Sequence, residues 1–184
     1  MNSPTDAELL IRSRSDPEAF GLIYDRHVDA VFRYLARRLG PVHAEDLVSE
    51  VFVRALEARH RTRPHESGSM LPWLYGIARN LVLKGTRPDP ITHHRDTGGT
   101  DWSSVDGRVD ADSVRMPLRA ALAGLPNIER EVLLLVSWEQ LTVTEAALVL
   151  GITSGAARTR LHRARAHAAA ALAAVPHPFQ PQEN

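Results

Sequence analysis

Cysteine is absent from this chain of 184 residues, which excludes a disulfide framework, a thiolate metal site and a cysteine nucleophile together. Long apolar runs are missing as well, none approaching the roughly 18 residues that span a bilayer. The opening stretch MNSPTDAELLIRSRSDPEAF carries acids where a secretory signal would carry basic residues and an unbroken apolar segment. These absences make the cytoplasm the expected compartment and exclude a membrane span. No Gly-rich phosphate loop, nucleophile elbow or His/Glu metal helix occurs, so no catalytic residue and no cofactor are expected. His93 and His94 stand together without a Cys or a spaced carboxylate set to complete a metal site, and they read as solvated side chains. Lysine is almost missing too: Lys84 is the only one beside many arginines, which reflects a GC-rich genome rather than a function.

What is present is charge, and it is segregated. The formal net charge is +0, an average that by itself argues against a nucleic-acid partner. Yet no acidic residue lies between Glu145 and Glu183, a stretch that holds Arg158, Arg160, Arg163 and Arg165. Residues 44–57 lean the other way, with Glu45, Asp46, Glu50 and Glu57 against Arg54 alone. One end suits an anion; one internal segment suits a basic partner.

The apolar pattern is helical on both sides of an irregular stretch. Phe20, Ile23, His27, Val31, Leu35 and Leu39 recur at three- and four-residue steps, a single helical stripe that Gly40-Pro41 ends. A second amphipathic segment runs from about His43 to Ala58, with Leu47, Val51, Arg54 and Ala55 on related faces. His60 to Ser69 reads as a basic loop with Pro and Gly. A third helix follows from about Leu71, with Leu74, Ile77, Ala78 and Leu81 inward. Residues 87–112 are rich in Gly, Pro, Asp, Ser and Thr and have no period, so they cannot bury enough apolar surface to offset ordering and read as a flexible linker. Helices resume near Ser113, and Pro176 and Pro178 close the structured part. The expected fold is all-α: one small helical domain over 5–86, the linker, and a second over 113–175.

Local signals in the second domain are specific. Leu125-Pro126 places Pro near a helix start, followed by a stripe of Ile128, Val132, Leu135 and Val136. Thr142-Val143-Thr144-Glu145 fits a capping box. Gly151 suits a left-handed helix end, and Thr153 caps a long final helix. A short helix, a glycine turn and an Arg-rich helix make the helix-turn-helix plan, here Thr144 to Arg163. On the final helix Ala157, Leu161, Ala164 and Ala168 share an apolar stripe. Gly155, Thr159, His162 and Arg163 lie roughly opposite, with Arg158 and Arg165 on one flank and Arg160 on the other. Four arginines on an exposed helix are also compatible with mere solvation; the cap, the turn and the missing acids favour DNA.

LPNIEREVLLLVSWEQLTVTEAALVLGITSGAARTRLHRARA (Leu125 to Ala166) resembles the fourth conserved region of extracytoplasmic-function sigma factors, the sigma-70-type subunits that direct RNA polymerase to promoters. It shares the LP…REV…L opening, the LGI-S/T turn and the terminal RLHRAR. EDLVSEVFVRAL (Glu45 to Leu56) resembles the second region's polymerase-binding helix, and PWLYGIARNLVL (Pro72 to Leu83) its promoter-melting helix. The matches fall in order and, with the preceding DPEAFGLIYDRHVDAVFRYLARRLG, cover most of the chain outside the linker.

The resemblance implies roles. Asp46, Ser49 and Glu50 would dock on the coiled coil of the polymerase's largest subunit, acids suiting a basic partner; solvation of the helix or complementing its dipole is the plainer alternative. Ser49 stands where relatives more often have Gln. Arg61 and Arg63 on the loop, then Trp73, Tyr75, Arg79, Asn80 and Lys84, would handle the minus-ten element, where opened DNA needs stacking surfaces and a cationic groove. For Trp73 a core position is the stronger reading. After Leu83 the sequence departs from the pattern: Gly85 and Pro88 shorten the helix and reduce the basic run, so the resemblance leaves open whether this end still contacts the minus-ten duplex. Ser154, Arg158, Thr159, Arg160 and Arg163 would read the minus-thirty-five element, with roles divided between bases and phosphates. Ala156 stands where relatives often have Thr. Implied partners are core RNA polymerase, through its largest and flap-bearing subunits, promoter DNA, and an anti-sigma protein that occludes these surfaces. Two other readings remain open: a helix-turn-helix regulator acting without core polymerase, and a small hydrolase.

Overall fold

The computed structural model describes residues 3–85 and 112–173, with the backbone alone for 112–116. Every regular element among these residues is helical, and they fall into two compact units, 3–85 and 112–173. The expected linker lies outside the described residues except for Asp112, which opens a helix. His93, His94, Pro176 and Pro178 lie outside them as well. No helix among the described residues is long and apolar enough to cross a membrane.

The first unit begins at Thr5, whose side chain caps Glu8 N–H while the Glu8 carboxylate takes the Thr5 N–H, a reciprocal box that starts α1 (Asp6–Arg12). Next come α2 (Ala19–Leu39), α3 (Pro41–Ala58) and α4 (Leu71–Gly85). Gly40 sits at φ 81°, in the region that excludes most side chains, and Pro41 at the first position of α3 loses no hydrogen bond there. The chain therefore reverses in one residue. Tyr24 near the start of α2 meets Phe52 near the end of α3 edge-to-face at 4.7 Å, so the two helices form an antiparallel hairpin. The stripe seen in the sequence turns inward: Phe20, Ile23, Val31 and Leu35 are buried, facing Val48, Val51 and Ala55 of α3 and Leu74, Ala78 and Leu81 of α4. Each fully buried Leu or Ile contributes about 1.5–3 kcal/mol. Leu9 and Leu10 of α1 join this core.

In the second unit α5 (Asp112–Ala123), α6 (Asn127–Ser137) and α7 (Val143–Leu150) pack around α8 (Ser154–Ala173). Its core is Leu122, Leu125, Val132, Leu135, Ala146, Val149, Leu150, Leu161 and their small neighbours Ala157 and Ala164. Arg130 on α6 closes the end of α5: its guanidinium donates to the carbonyls of Leu122 (2.6 Å), Ala123 (2.7 Å) and Leu125 (2.8 Å). Leu122 and Ala123 lie in the last turn of α5, where carbonyls run out of intrahelical partners, and Leu125 lies in the turn that follows. The arginine of the REV motif is thus a structural cap.

Candidate nucleic-acid and protein interfaces

The helix-turn-helix is assembled by local chemistry. Thr142 takes the Glu145 N–H (3.2 Å), and the Glu145 carboxylate takes the Thr142 N–H (2.9 Å), which starts α7. Gly151 ends it at φ 65°, ψ 34°, and the Ile152 N–H returns to the Ala147 carbonyl (3.0 Å), the left-handed helix stop. Thr153 then caps α8 through the Ala156 N–H (3.2 Å). The expected stripe is buried at Ala157, Leu161 and Ala164 and half-buried at Ala168. Thr159 and Arg163 are exposed on the opposite face with Gly155 and His162, Arg158 is exposed on the flank, and Ser154 and Arg160 are half-buried. The Thr159 hydroxyl donates to the Gly155 carbonyl (3.1 Å). Further along α8, His167 lies against the buried Glu129 of α6 (3.2 Å), while Arg158 and Arg163 stay exposed.

On α3 one face is buried at Ala44, Val48, Val51, Phe52 and Ala55, and Asp46, Ser49 and Glu50 are all exposed on the other. Arg54, expected near the apolar face, is exposed and donates to Glu50 through Nε (2.9 Å). Such an exposed i,i+4 pair contributes little. Two valines were missed in the sequence. Val42 (74% exposed) and Val53 (55%) share the helical strip of Asp46, Ser49 and Glu50 and bracket it. The signal was available, since residues 42, 46, 49, 50 and 53 follow helical spacing.

The minus-ten candidates divide. Arg61 and Arg63 are exposed on the loop between α3 and α4; Asn80 and Lys84 are exposed on α4; Trp73 and Arg79 are half-buried. Tyr75 corrects the expectation. It is 2% exposed and stacks on Tyr34 at 4.6 Å between centroids, with the Arg38 guanidinium 3.5 Å over the Tyr34 ring. Its ring belongs to the α2–α4 core, where a large aromatic surface is worth more buried than exposed, and it offers no stacking platform to a base. The helix α4 is described as far as Gly85, and Thr86 to Pro88 lie outside the described residues.

The loop itself is tied to α1. Asp6 is 7% exposed and accepts from Arg26 (3.0 Å), from His27 and from the Met70 N–H (2.9 Å). Burial alone would raise its pKa, but the bonds from His27, Met70 and Arg26 and the His27 charge outweigh it and hold the carboxyl at about 2, below an ordinary 3.8. His27, expected within the apolar stripe, is thereby explained: it is a polar rung facing a buried acid. Among the described residues no three His, Asp or Glu side chains gather as a metal site requires.

Comparison with known proteins fits this architecture. Residues 23–87 match sigma-70 region 2, and residues 115–167 match sigma-70 region 4. The chain is 33% identical over 153 residues to the RNA polymerase sigma factor CarQ of Myxococcus xanthus, covering 79% of this chain and 84% of CarQ. It is 34% identical over 164 residues to the ECF RNA polymerase sigma factor BldN of Streptomyces coelicolor, covering 85% of this chain but only 62% of BldN. Among solved structures, CnrH in complex with the cytosolic domain of CnrY aligns with a TM-score of 0.64 at 26% identity, over 93% of this chain and 99% of that one. With both regions matched in order and CarQ similar along most of its length, the chain belongs to the sigma-70-type RNA polymerase sigma factors, in the extracytoplasmic-function subfamily.

Proposed function

We propose that this chain is a dissociable specificity subunit, which joins core RNA polymerase, directs it to particular promoters and helps to nucleate melting. The observation that carries the reading is the exposed strip Asp46, Ser49 and Glu50 on α3, which a regulator acting on DNA alone has no use for and a basic coiled coil on the largest polymerase subunit would match. In this reading the first unit docks on core and engages the minus-ten element through Arg61, Arg63, Trp73, Arg79, Asn80 and Lys84. The second unit meets the flap-bearing subunit and the minus-thirty-five element through Ser154, Arg158, Thr159, Arg160 and Arg163. The protein then supplies specificity, not catalysis, and works in the cytoplasm beside the polymerase. CnrH is solved in complex with the cytosolic domain of CnrY, which supports a protein partner for a chain of this fold; in this reading that partner is an anti-sigma protein.

Run-off transcription with reconstituted core polymerase on a genomic promoter library tests the reading. Discrete start sites that depend on the added chain are expected, together with co-purification with core enzyme. A properly folded chain that binds DNA but never associates with core, and starts no transcript, would overturn it in favour of a plain helix-turn-helix regulator.

A further inference from the structure

Residues 59–70, between α3 and α4, carry Arg61 and Arg63 but little apolar side chain to hold them in place. Met70 is the buried apolar residue of the segment. Local bonds start it, with the Arg61 and Thr62 N–H groups both returning to the Ala58 carbonyl (3.0 and 3.2 Å). Beyond that, three long-range hydrogen bonds among the described residues run to α1 and the turn after it. The Arg14 guanidinium donates to the Thr62 carbonyl (2.8 Å), the Arg59 Nε donates to the Ser13 carbonyl (3.0 Å), and the Met70 N–H donates to Asp6 (2.9 Å). Thr62 lies between the two exposed arginines, so the peptide that aims them is the one Arg14 grips. Asp6 and Ser13 are buried, whereas Arg14 is exposed. The two buried groups anchor the ends of the segment against the core, and Arg14 sets its middle. Hydrogen bonds to charged groups of this kind are worth more than neutral ones.

We propose that α1 and the turn after it belong to the promoter-reading apparatus: Asp6, Ser13 and Arg14 position the 59–70 segment, so that Arg61 and Arg63 meet the minus-ten element in one register. Arg14 is a positioning residue that reaches DNA only through Thr62. The inference rests on the reading that this segment engages minus-ten DNA, and it adds a determinant of base preference that lies some fifty residues earlier in the chain.

The test uses the full chain with core polymerase and a DNA library randomised across the minus-ten element of a promoter found by the run-off experiment. Arg14→Ala, at an exposed site, is compared with Arg14→Lys and with the double variant Arg61→Ala/Arg63→Ala. Arg14→Ala is expected to slow open-complex formation about tenfold, the equivalent of one charged hydrogen bond, and to broaden minus-ten base preference. Core affinity should stay unchanged, the thermal midpoint should fall by no more than the few degrees that one hydrogen bond accounts for, and Arg14→Lys, which keeps a donor, should recover most of the preference. If the double variant loses preference while Arg14→Ala keeps the wild-type profile, the positioning role is overturned and the reading of the segment survives. If Arg14→Ala lowers thermal midpoint and core binding in step with activity, the residue is only structural and the proposal fails. If the double variant itself transcribes with unaltered preference, the minus-ten reading of the segment falls, and this inference with it.

Discussion

Asp6 is a surface residue by every local sign in the sequence: an acid in the first turn of a helix, where it complements the helix dipole. The fold instead buries it among Arg26, His27 and the Met70 amide, partners 20 to 64 positions away. Tyr75 errs in the opposite direction. A tyrosine beside a basic helix face suggests a base-stacking platform, but its ring completes a stack with Tyr34 in the core. Neither outcome follows from spacing along one helix, because each depends on which helix packs opposite. The Asp6 site carries a pH signature. Its folded pKa of about 2 lies below the ordinary 3.8, so its contribution is fully present above that value and is lost as pH falls from about 4 to about 2. A depression of this size corresponds to about 2 kcal/mol. Asp6→Asn is expected to destabilise the first unit by about that much at pH 7. In urea titrations the gap between variant and wild type should close as pH is lowered from 5 towards 2.5; a gap constant with pH would show that the ionised carboxylate is not what matters.

Elements were legible wherever their boundaries are written in neighbouring residues. The Thr142–Glu145 box, the Gly151 stop and the Thr153 cap each act within about four positions, and each is found where the sequence indicates. The Gly40-Pro41 break is another case, with α3 beginning at Pro41 rather than near His43. The Thr5–Glu8 box of α1 obeys the same local rule, its signal being T-x-x-E; the Arg130 cap of α5 was not legible, because its target carbonyls belong to a different helix and the turn after it. Gly151 allows a direct check. Its surroundings leave open space for a methyl group, so Gly151→Ala meets only the left-handed backbone penalty of about 1 kcal/mol. The second unit should lose that much in denaturant unfolding, and minus-thirty-five binding should weaken only through stability. An unchanged midpoint would mean that the turn relaxes at no cost.

At the scale of the whole molecule the net charge of +0 conceals two exposed surfaces of opposite charge in two separate units. Their separation makes their functions separable. Glu50→Lys is expected to weaken core binding at least tenfold, since a reversed charge turns attraction into repulsion, while leaving the DNA contacts proposed for α8 intact. Arg163→Ala should do the reverse: core binding is kept, and minus-thirty-five affinity falls by about 1–3 kcal/mol if the side chain reads a base. Competition for core enzyme and promoter footprinting measure the two effects independently, and a variant that loses both together would contradict the division. The amino-acid sequence by itself determined the all-α class, the helix-turn-helix and the two charge poles, because helical period, caps and composition are short-range properties. Tertiary structure alone decided that Tyr75 is core, that Asp6 is buried against His27, and that α1 and the turn after it hold the segment bearing Arg61 and Arg63. Those outcomes turn on desolvation and on partners distant in the chain, which local spacing does not encode.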